Sequence, residues 1–164
     1  MADSTTEQDR GCIRRAQPDG AVLFCGSHLR IRVAVLKPGI VLATASGEAI
    51  DIDDAMAEAA MLEELDREFE RAGSLTLFAD LRQSARMPAA SREKFARWAR
   101  RHQSRLVLSH VLVRSTLIEM ALSIITMLVG GGLFKVHTNP KKFLALVKAA
   151  APKLQELPSV PSPS

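Results

Sequence analysis

Arg105-Leu-Val-Leu-Ser-His-Val-Leu-Val-Arg114, Ser115-Thr-Leu-Ile-Glu-Met-Ala-Leu-Ser-Ile-Ile-Thr-Met-Leu-Val129 and Gly130-Gly-Gly-Leu-Phe-Lys-Val-His137 form the most apolar part of the chain, and their reading decides the fold. Two incompatible structures suit them, a membrane span or a buried strand–helix–strand unit. Between Arg114 and Lys135 the only charge is Glu119, and about 20 apolar residues suffice to cross a bilayer. Three features favour burial instead. Glu119 would lie inside the span, three consecutive glycines interrupt it, and the preceding Leu106–Val113 is itself apolar and alternating, which a connecting loop would not need. A strand, a helix over Ser115–Val129, a glycine stop and a last short strand account for every feature.

The chain on either side supplies the partners such a unit needs. Leu29, Ile31, Val33 and Val35 alternate with Arg30, Arg32, Ala34 and Leu36, the period of a strand. Lys37-Pro38-Gly39 suits a type II turn, and Ile40–Ser46 returns as a second strand of a hairpin. A further short strand fits Ala21–Phe24. Asp51 then caps a helix whose first turn holds Asp53 and Asp54. Its apolar stripe runs through Ile52, Ala55, Ala59, Leu62, Leu65 and Phe69, and Gly73 ends it. Ser74–Leu81 reads as a buried strand with Asp80 at its C-terminal end. A helix from about Ala89 or Ser91 to Gln103 follows, with Phe95, Trp98 and His102 inside. After Arg105–His137, Asn139 caps a final helix with Pro140 in its first position.

This order predicts one α/β domain over residues 21–151. Its sheet is expected to be mostly parallel and four- to five-stranded, with an N-terminal antiparallel hairpin and about four covering helices; Arg105–Arg114 is expected at its centre. Residues 1–20 read as a flexible arm and 152–164 as a disordered Pro/Ser tail.

Composition narrows the function classes. Of 164 residues 47% are apolar and only 4% aromatic, with no tyrosine. That argues against a stacking surface for single strands, and no specific nucleic-acid partner is expected. Cys12 and Cys25 make no disulfide framework, and no cluster has metal-ligand spacing, so neither metal nor cofactor is expected. Residues 1–10 contain no apolar run, so a cytoplasmic location is expected. The net charge of +4 hides a division. Glu48–Arg71 carries ten acids against two bases, and Asp80–Arg114 carries nine bases against two acids. Such asymmetry speaks of partners, not of fold.

No catalytic constellation emerges. Ser109 and His110 are strand neighbours and point to opposite faces. Gly130–Gly132 follows a helix and precedes a strand, the reverse of a phosphate-binding loop. Asp80 lies where open α/β sheets bind ligands, outside a strand's carboxyl end. With Arg82 and Arg86 beside it, and with the basic helix carrying Arg92, Arg97, Arg100 and Arg101, it makes the first choice for a partner-binding surface.

The stretch Leu75-Thr-Leu-Phe-Ala-Asp80-Leu81 and the strand, helix, strand, helix order after it resemble the STAS-like family, typified by bacterial anti-sigma-factor antagonists and related to the CRAL-TRIO lipid-transfer domains. The resemblance spans residues 21–151 and lies in element order. In phosphorylated members an Asp-Ser pair opens the helix about eight or nine residues beyond the strand-end acid. Pro88 and Ala89 stand there, so no phosphoacceptor is carried over. The nearest hydroxyls, Ser84 and Ser91, remain displaced candidates, and Ser91 suits a helix cap better. The resemblance implies a bacterial-type, non-catalytic regulatory module that docks a protein partner, an acidic one given the basic helix. The alternative is a module of the same fold that holds a lipid or other apolar molecule, with Met56, Met61, Met120 and Met127 as soft walls. Self-association through the acidic and basic helices is a further expectation.

Overall fold

The computed structural model describes residues 13–130, 132 and 134–163. The elements run β1 (Arg14–Ala16), β2 (Val22–Cys25), β3 (Leu29–Lys37), β4 (Ile40–Gly47), α1 (Ile52–Ala72), β5 (Leu75–Gln83), α2 (Ala89–Arg101), β6 (Leu106–Leu112), α3 (Thr116–Val129), β7 (Phe134–His137) and α4 (Pro140–Ala150).

Local chemistry sets most of these boundaries. Gly39 takes φ 78°, the left-handed conformation that the hairpin turn requires. Asp51 and Asp54 close a reciprocal capping box at the start of α1, and Gly73 ends that helix with φ 83°. Ser115 caps α3, and Asn139 caps α4 ahead of Pro140. At α2 the expected cap is not used. Pro88 holds the N-cap position without a side-chain bond, and Ser91 sits inside the first turn.

The strands form one sheet in chain order, β1 to β7. The pairings from β1 to β4 are antiparallel and those from β4 to β7 parallel. The described sheet therefore has seven strands rather than four or five, and is half antiparallel rather than mostly parallel. The extra edge comes from β1, which falls within the expected arm. Its three residues are exposed on both faces, so no hydrophobic period marks them. Residues 1–12, with Arg10 and Cys12, lie outside the described residues. β6 stands sixth in the order, not at the centre. Its apolarity has the expected cause, burial on both faces.

Each face has its own core. On the first, Val41, Ala43 and Ala45 of β4 and Leu75 of β5 pack with Leu62 and Leu65 of α1, Trp98 of α2 and Leu122 of α3. On the second, Leu42, Phe78 and Leu112 meet Phe143 and Val147 of α4. The segment 152–163 extends this second layer. Leu154 and Leu157 pack on the α4 cluster, Val160 is buried, and its N–H donates to Gln83 Oε1 at 3.4 Å. Its prolines suit an extended strap with few backbone bonds of its own, which is why composition alone reads it as disordered.

Among the described residues no helix is long and apolar enough to cross a membrane. The apolarity of α3 is instead divided. Ile118, Leu122, Ile125 and Val129 are buried, while Leu117, Met120, Ile124, Met127 and Leu128 are exposed.

Candidate functional site

The sheet separates the candidate residues into two groups. Asp80 shares the second face with Phe78, two residues before it, because side chains alternate along a strand. It is buried, and Arg82 closes on it with Nε at 3.0 Å and Nη2 at 2.8 Å, a two-point pair that also raises the Arg82 pKa. The Arg82 N–H donates to the same carboxylate at 3.2 Å. Thr44, the register partner of Asp80 on β4, is buried, and its hydroxyl has no partner among the described residues. Asp80 and Arg82 are thus satisfied by each other.

The remaining arginines belong to the first face. Arg86 donates to Glu48 at 2.5 Å. Arg92 donates to the carbonyl of Met87, and Arg100 to the carbonyl of Leu128 at 3.0 and 2.7 Å. Arg101 lies 3.9 Å from Asp66. Arg97 is exposed and forms no ion pair among the described residues. Asp80 and Arg82 therefore do not share a surface with the arginines of α2. Spacing along the chain brought them together, and the sheet parts them.

The acidic α1 finds much of its complement inside the chain. Glu58 accepts from Lys94 at 3.1 Å and from the Ser91 hydroxyl at 3.1 Å. Asp66 takes the Trp98 indole N–H at 2.9 Å and sits 2.7 Å from His102 Nε2. Ser91 and Ser84 are both buried, and neither presents its side chain to solvent.

Two features were not read from the sequence. The first is the outer face of α3, where Leu117, Met120, Ile124 and Met127 recur at steps of three and four. Met127 is 83% exposed. Arg100 reaches the C-terminal end of this helix, so the stripe adjoins the outer arginines of α2. The second is a cavity of about 120 Å³ between the sheet and α1–α3. Ala43, Ala45 and Ala79 floor it, Leu65, Phe95 and Ile125 roof it, and Ser109 opens onto it. Of the four methionines expected as pocket walls, Met61 lines this cavity, whereas Met56, Met120 and Met127 are exposed. The available signal was the small residues at inward positions of β4, β5 and β6. Using it needs the strand register, which sets Ala43 beside Ala79 and Leu77 beside Ser109.

No family model and no curated protein matches the chain. Among solved structures it is similar to an anti-sigma factor antagonist from Mycobacterium paratuberculosis, with 17% identity over 82% of this chain and 99% of that one, at a TM-score of 0.49. The face that α2 and α3 turn to solvent remains the candidate surface on its own geometry.

His28, Asp51 and Asp54 bring three ligand-type atoms within 4.8 Å of one another. The Asp54 carboxylate is already spent there on the N–H groups of His28, Ile50 and Asp51, at 2.7, 2.9 and 3.1 Å. The cluster is a helix cap tied to a neighbouring loop.

Proposed function

We propose that this protein is a non-catalytic regulatory module that docks a partner protein on the outer face of α2 and α3. The observation that carries the reading is the apolar stripe of α3 beside exposed arginines of α2. Apolar side chains at such spacing form a seam for another helix. Cations at its edge favour a partner whose own apolar stripe is bordered by acids. Relative to the expectation drawn from sequence, the docking surface keeps Arg97 and Arg100, gains α3 and leaves out Asp80 and Arg82.

The test compares affinity capture by wild type, Ile124→Glu/Met127→Glu and Arg97→Glu. All changed side chains are exposed, so circular dichroism is expected to be unchanged. The reading expects a wild-type partner to be lost on the double variant, and its binding to Arg97→Glu to weaken, most at low salt. An identical bound set for all three proteins overturns it. A wild-type dimer that Ile124→Glu/Met127→Glu dissociates would make the partner a second copy of the chain.

The cavity between the sheet and α1–α3 supports a second reading, that the fold holds an apolar molecule. The two readings concern different parts of the protein and are independent.

A further inference from the structure

We infer that the cavity beneath α1–α3 is a binding site for a small neutral molecule, about one aromatic ring in size, carrying a hydroxyl or carbonyl that is read by Ser109. The inference rests on the second reading above and specifies its ligand.

Size comes first. An apolar cavity of about 150 Å³ holds a benzene ring in a protein interior. At about 120 Å³ the present cavity is of that order, and far below what an intact phospholipid needs. Three alanines, Ala43, Ala45 and Ala79, stand on the inner face of the adjacent strands β4 and β5. Larger residues there would close the space.

Polarity comes next. The Ser109 side chain is buried, faces the cavity from β6 and has no hydrogen-bond partner among the described residues. A buried hydroxyl without a partner is costly, and a ligand oxygen would satisfy it. The charged groups at the cavity are already engaged. Glu58 is held by Ser91 and Lys94, and Arg86 by Glu48. Lys94 also donates to the Ala55 carbonyl. No uncompensated charge faces the cavity among the described residues, so an ionised ligand would enter without a counter-charge. The site therefore selects a neutral molecule with a polar atom placed for Ser109.

Benzene, phenol and benzoate separate the parts of this argument when titrated into the full chain and followed by backbone amide shifts. The expected result is saturable binding of benzene and phenol, with phenol about fivefold tighter, the margin of one net hydrogen bond. Ser109→Ala removes that margin and leaves benzene binding unchanged. It also keeps or raises the melting temperature, whereas a structural role for the hydroxyl would lower it. Ala45→Leu, with the milder Ala79→Val as a second filling variant, abolishes binding of both while the melt stays cooperative. If benzene binds but phenol is no tighter, or keeps its margin in Ser109→Ala, the Ser109 assignment is overturned and the apolar site stands. If benzoate binds as well as phenol, the requirement for neutrality is overturned. If nothing saturates, or binding survives both filling variants, the cavity is not a ligand site and both readings of it fall.

Discussion

Asp54 carries four hydrogen bonds on one carboxylate, from the N–H groups of His28, Ile50 and Asp51 and from the His28 ring. Burial on its own would raise its pKa. The donors win, and hold it at about 2 against an ordinary 3.8. A group with a depressed pKa stabilises the fold above its unfolded value, and that contribution is lost as the pH falls through the folded one. Unfolding titrations should therefore show about 2 kcal/mol of stability disappearing between pH 4 and 2, and Asp54→Asn should flatten that limb. The same corner explains Gly26. A methyl group there would lie 2.6 Å from the Asp54 Cα, a backbone atom that cannot step aside. Gly26→Ala should cost about 2–4 kcal/mol in denaturant unfolding. At the other end of the molecule His110 Nδ1 meets His137 Nε2 at 2.9 Å. Burial, and then neighbouring positive charge, lowers both pKa values from 6.5. The neutral pair contributes fully above pH 6.5, and its contribution fades as acid protonates it. The melting temperature should fall from pH 7 to pH 5, and less steeply in His137→Gln.

Among the elements, the helices were the more legible. Asp51, Gly73, Asn139 and Pro140 act on backbone groups within a turn of themselves, so their roles can be read before any tertiary contact is known. What a helix buries is less local. α3 is apolar nearly all round, which reads as full burial, yet one side is open to solvent because sheet and α2 cover only the other. Ser91 misled for a related reason. A serine near a helix start suits a cap, but here its hydroxyl serves Glu58 on a neighbouring helix. α4 offers a sharp test. It has 11 residues, too few for a stable helix in isolation, and is pinned by Phe143 and Val147. Phe143 meets Phe78 edge-on at 5.9 Å between ring centres. Phe143→Ala should cost about 3–5 kcal/mol. Hydrogen exchange should then rise first over 140–150, while α1 to α3 stay protected.

At the level of the whole molecule, α/β class, element order and the early hairpin were legible, and the two-sidedness of the sheet was not. Asp80 and Arg97 are close in sequence but lie on opposite faces, a fact that only strand direction and register decide. The C-terminal strap escaped for a similar reason. Its prolines and serines look unstructured, yet Leu154 and Leu157 pack on the α4 cluster and Val160 is buried. Deleting residues 152–164 should lower the melting temperature by several degrees with helix content by circular dichroism unchanged. No loss would mean that the strap adds nothing to stability. The uninterrupted order β1 to β7 also bears on how the molecule is made. Every strand after β1 pairs with the one synthesised just before it, so no strand waits for one beyond its predecessor, and loop-closure cost grows only slowly with the length of the crossover. The sheet can grow strand by strand as the chain leaves the ribosome, each new edge being the template for the next. Only the second face must wait for α4 and the strap, the last described segments, which arrive to cover it.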